Sequence, residues 1–99
     1  MAEVTAEQRF RGVVRLVTLH LWRVAKTTDL DACFAAARQR GMIDGAQEAF
    51  IRECIRADEL LEAGGAFRLG DGEEGAGALA SAAERLQRCA LALNTADPA

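Results

Sequence analysis

Four side chains able to ligate a metal or act as nucleophiles stand far apart in this chain: His20, Cys33, Cys54 and Cys89. Three thiolates and an imidazole make a tetrahedral zinc set. Helical periodicity assigns each to a different helix, on or at the edge of its apolar stripe. At ~1.5 Å rise per residue, an antiparallel bundle would bring all four within about one turn of a common level. Zinc sites legible in sequence rest on paired local spacings such as CxxC, and this chain has none. Buried cysteine is also a common small apolar filler. The cysteines therefore read first as packing residues, the metal set is the alternative, and no cofactor is expected.

Asp58 is the one acidic residue inside an otherwise apolar arc, and a carboxylate there needs a partner. His20 supplies one if the first and third helices run parallel; an arginine is the other choice. A His–Asp pair can orient a general base, but the chain offers no nucleophile near it, Ser81 lying on the last helix. His20 followed by Arg23, in a helical bundle of this size, also resembles histidine phosphotransfer domains. The resemblance would imply a phosphoryl acceptor at His20. Those domains follow the histidine with Lys-Gly, whereas here it is followed by Leu21-Trp22-Arg23-Val24, without the glycine that gives a phosphoryl group room.

Arg11, Arg15, Leu19 and Trp22 share the outer side of the first helix. A tryptophan beside leucine and arginine has the composition of an interface hot spot. The bland counterpart is that the last helix, or a turn carrying Phe67 and Leu69, covers this arc and makes Trp22 a core residue.

The elements that must position these side chains are helices. Pro98 is the only proline, and alanine fills much of the apolar quota, so little interrupts a helical chain. Thr5 with Gln8, and Asp44 with Gln47, have capping-box spacing, Asp29 is an N-cap, and Gly41 is a ready left-handed stop. The patterns predict helices over about 6–26, 29–40, 45–63 and 76–94. Their buried stripes are Phe10, Val13, Val14, Val17, Leu21 and Val24; Leu30, Cys33, Phe34 and Ala37; Phe50, Ile51, Cys54, Ala57 and Leu61; and Leu79, Ala83, Leu86, Ala90 and Leu93. The first is the most apolar segment and the expected centre of the fold. The stretch 64–77 holds six of the nine glycines with Asp71, Glu73 and Glu74. It matches neither a phosphate loop nor an EF-hand and reads as a mobile linker with a short turn at 66–69.

Ninety-nine residues make one domain, here 1–94 with a loose tail at 95–99. The fold class expected is all-α, a small up-down-up-down four-helix bundle. A net charge of −3 argues against nucleic acid as the main partner. Residues 1–26 carry five basic and two acidic groups, a net of +3, and residues 27–65 carry four basic and eight acidic groups, a net of −4. A basic helix packed beside acidic ones, within the chain or across a dimer, accounts for this. The acidic, polar start lacks the features of an export signal, and 13–25 is too short and too charged to span a membrane. An odd number of scattered cysteines fits reduced thiols. The sequence thus points to a cytoplasmic protein-binding module, expected to act as a homodimer through its first helix, with no catalytic motif.

Overall fold

A computed structural model describes residues 5–69 and 73–95 of the chain. Helix α1 spans Ala6–Ala25, α2 Leu30–Gln39, α3 Gly45–Glu62 and α4 Ala76–Thr95. Between α3 and α4 lies a pair of two-residue strands, β1 (Arg68–Leu69) and β2 (Glu73–Glu74), antiparallel with Arg68 opposite Glu74. The helices pack on one another as a small all-α four-helix bundle. The expectations for residues 1–4, 70–72 and 96–99 lie outside the described residues, and Thr95, assigned to the tail, is the last residue of α4.

Local chemistry sets the helix starts. Both capping boxes form, with Gln8 and Thr5 exchanging bonds of 3.0 and 3.1 Å and Gln47 and Asp44 bonds of 2.8 and 2.7 Å. Asp29 caps α2 by accepting from the Asp31 amide. Gly41 takes the left-handed conformation after α2, at φ 72°. The end of α1 is less legible, because its left-handed residue is Lys26, at φ 55°. Glycine favours that conformation, and the Lys26 and Thr27 amides hold it here by donating to the Trp22 carbonyl.

The core follows the predicted stripes closely. Phe10, Val14, Val17, Leu21 and Val24 of α1 are buried, as are Cys33, Phe34 and Ala37 of α2 and all five residues expected from α3. From α4 the five expected residues are joined by Ala82 and Cys89. Val13 and Leu30 are only partly buried. α1 is the central element, meeting α4 most extensively and both other helices. Alanines at 82, 83 and 90 let α4 approach closely. The expected turn at 66–69 is in part strand, and Phe67 and Leu69 are core residues. Phe67 stands edge-on to Phe10, with centroids 5.1 Å apart at 74°.

Arg11, near the start of α1, pairs with Asp58 and Glu62 near the end of α3, so these two helices run antiparallel.

Candidate functional site

On its side away from α4, α1 meets α3 over a shorter seam, and a groove of about 330 Å³ opens there. One wall is Arg15, Thr18, Leu19 and Trp22 of α1, the other Ile55, Asp58 and Glu59 of α3, with Val14 also lining it. The seam opens where α3 places Asp58 within its apolar arc. Arg11 Nε donates to Asp58 Oδ1 at 2.9 Å and Nη2 lies 3.8 Å from Glu62. The bond from Arg11 to Asp58 raises the guanidinium pKa, against a smaller opposing effect of burial. This ion-paired cluster occupies space that apolar side chains would otherwise close.

Leu19 is 51% exposed at this groove, and Leu16 is exposed one turn earlier on α1. Trp22 is partly buried, packed against the core's edge. Its indole Nε1 is shut off from solvent and has no hydrogen-bond partner among the described residues. An unmet buried donor costs about 1–3 kcal/mol. Thr18 is satisfied locally, its hydroxyl donating to the Val14 carbonyl at 2.8 Å. Arg15 and Glu59, on opposite walls, are exposed and have no ion pair among the described residues. The cover considered for Trp22 does not come from Phe67, which packs on Phe10 on the inner stripe.

Of the four outer-arc residues, Arg15, Leu19 and Trp22 line the groove together, while Arg11 is engaged within the chain at its edge. The sequence reading missed Thr18, Ile55 and Glu59 as its other lining residues. Ile55 flanks the core stripe of α3 and Glu59 follows Asp58, but their placement opposite α1 depends on the antiparallel pairing.

His20 and Asp58 are not brought together. Asp58 is paired with Arg11, and the antiparallel course of α1 and α3 puts the two residues at different levels. His20 instead lines a separate cleft with Arg23, Val24, Arg40, Met42, Leu93 and Asn94. Burial, and then the charge of Arg23, lower its pKa from 6.5.

The His20, Cys33, Cys54 and Cys89 metal set is likewise not assembled. Among the described residues no group of three or more His, Cys, Asp or Glu is placed to hold a metal ion. Cys33 donates instead to the Thr27 carbonyl at 3.3 Å. Cys54 and Cys89 lie near each other in the core, where burial pushes the Cys54 thiol up to about 12 and raises that of Cys89. At neutral pH such thiols stay protonated and unreactive. No helix among the described residues is long and apolar enough to cross a membrane.

No protein-family model, curated protein or solved structure matches the chain.

Proposed function

We propose that this chain is a small protein–protein interaction module that forms a homodimer through the outer face of α1, with the α1–α3 groove at the centre of the contact. The observation that carries this reading is the groove itself. A half-exposed leucine and a tryptophan form an apolar strip between a cation, Arg15, and an anion, Glu59, neither of them ion-paired among the described residues. Such a patch is self-complementary. Rotating a second copy by half a turn about an axis through the strip sets Arg15 opposite the partner's Glu59, as an isologous contact requires. The apolar strip supplies affinity, and the flanking charges fix the register.

Adaptor, chaperone-like and regulatory-subunit roles all fit a module of this kind. The three unpaired, buried thiols support a reducing, cytoplasmic setting. Sedimentation equilibrium over a wide concentration range tests the dimer. The expected result is a monomer–dimer equilibrium that Leu19→Asp abolishes, with helical content and thermal midpoint held. A wild-type chain that stays monomeric at the highest concentration, or a variant that dimerises as the wild type does, overturns the reading.

A further inference from the structure

We propose that the cleft lined by His20, Arg23 and Arg40 is a binding site for a small oxyanion of the phosphate class, independent of the dimer contact. Its volume is about 100 Å³, below the roughly 300 Å³ at which pockets begin to enclose drug-sized molecules. A single tetrahedral anion, or the terminal phosphoryl group of a larger molecule, matches that scale. Three helical elements build the cleft. α1 contributes His20 and Arg23, the residue capping α2 contributes Arg40, and the end of α4 contributes Asn94. Every polar side chain in the lining can donate a hydrogen bond, and none is acidic.

The simplest competing account is that Arg23 and Arg40 are there only to offset the negative ends of α1 and α2. The backbone has already met much of that demand. The Trp22 carbonyl accepts from Lys26 and Thr27, and the carbonyls of Ala36, Ala37 and Arg38 accept from Arg40, Met42 and Gly41. Neither guanidinium has a hydrogen bond or ion pair among the described residues, whereas Arg11, Arg38 and Arg52 are all engaged with carboxylates. Two guanidiniums and an imidazole line a partly enclosed space with no carboxylate in its lining, an environment that suits an oxyanion. Met42, Val24 and Leu93 supply the apolar part of the lining. His20 is the only histidine of the chain, so it reports on the cleft directly. Burial, and after it the charge of Arg23, lower its pKa, and a bound anion would act in the opposite direction.

The test is a proton NMR titration of the His20 ring on the full chain with inorganic phosphate, at constant ionic strength set by chloride. The expected result is a saturable shift of the ring signals, with the imidazole midpoint moving upward as phosphate binds. Arg23→Gln and Arg40→Gln should each weaken binding by about tenfold or more, the worth of one charge-assisted hydrogen bond. Both side chains are exposed, and circular dichroism checks that the variants fold. Methyl phosphate in a parallel arm separates a free anion from a phosphoryl terminus, since only the latter use tolerates the added group. Overturning results are the absence of a saturable phosphate shift, a shift undiminished in both variants, or acetate binding more tightly than phosphate.

Discussion

The two sides of α1 obey different rules. Toward α4, aliphatic side chains and Phe10 meet a helix rich in alanine, and the residues they share in the core are buried, leaving only the small cleft at His20 near the helix ends. Toward α3, a tryptophan, a half-exposed leucine and an Arg11–Asp58 pair meet a helix with a carboxylate inside its apolar arc, and the surface stays open. Both sides are apolar enough in sequence to be core. The difference comes from side-chain volume and from one polar residue. Small residues on α4 allow close approach, whereas Trp22 is large and Asp58 must remain paired, and together they hold the groove apart. Apolar character alone does not decide burial; the partner helix decides it.

Truncating one leucine on each side tests this difference most severely. Leu21 is fully buried and Leu19 is half exposed. Leu21→Ala should lower unfolding stability by about 2–5 kcal/mol, the transfer and cavity costs of a closed core. Leu19→Ala should leave monomer stability within about 0.5 kcal/mol of wild type, as expected of an exposed site. Urea unfolding at a concentration low enough to favour monomer checks both. Comparable losses at the two positions would show that the groove is core.

That comparison also shows which parts of the molecule can be read from sequence. Helix starts are written locally, in Thr5 with Gln8 and Asp44 with Gln47, and the core stripes are written in the 3.6-residue period. Both survive into the structure almost unchanged. The candidate sites depended on how helices pair, and a periodic pattern does not encode that. His20 stands beside Asp58 only if α1 and α3 run parallel. The true pairing puts Arg11 there, and the cleft at His20 recruits Arg40 and Asn94 from elements far away in the chain. Trp22 shows the same limit from another angle. Its place on the outer arc was legible, but whether Phe67 would cover it turned on where the 66–69 segment folds back.

A second, smaller effect sharpens the view of the open side. Trp22→Phe keeps most of the apolar bulk at the groove and removes the unmet indole donor. Monomer stability should change by less than about 1 kcal/mol, with any gain tracing to the lost donor and any loss to the smaller ring. Chemical denaturation checks it. A loss like that of Leu21→Ala would mean that the indole is held as tightly as the inner stripe.

The smallest expected effect concerns pH, and it separates the His20 cleft from both sides of α1. Burial and the charge of Arg23 lower the folded His20 pKa below its ordinary 6.5. Between the two values the unfolded chain takes up the proton more readily, so acid favours unfolding. This contribution is present in full above pH 6.5, declines as the pH falls through 6.5, and is lost once the pH is below the folded value. Glu48 acts in a more acidic window: bonds from Arg52 and then Arg38 lower its pKa below 4.5, and its contribution is lost only as the pH falls through that depressed value. His20→Gln should therefore flatten the stability profile just below pH 6.5 and leave the decline below 4.5 in place. Thermal midpoints measured from pH 7.5 to 3.5 in phosphate-free buffer resolve the two windows. Adding phosphate should restore part of the stability lost by the wild type near pH 6, because an anion in the cleft favours the imidazolium, and should do nothing for His20→Gln there. An unchanged profile in His20→Gln would mean that the imidazole titrates alike in folded and unfolded chains, and that neither burial nor Arg23 acts on it as described.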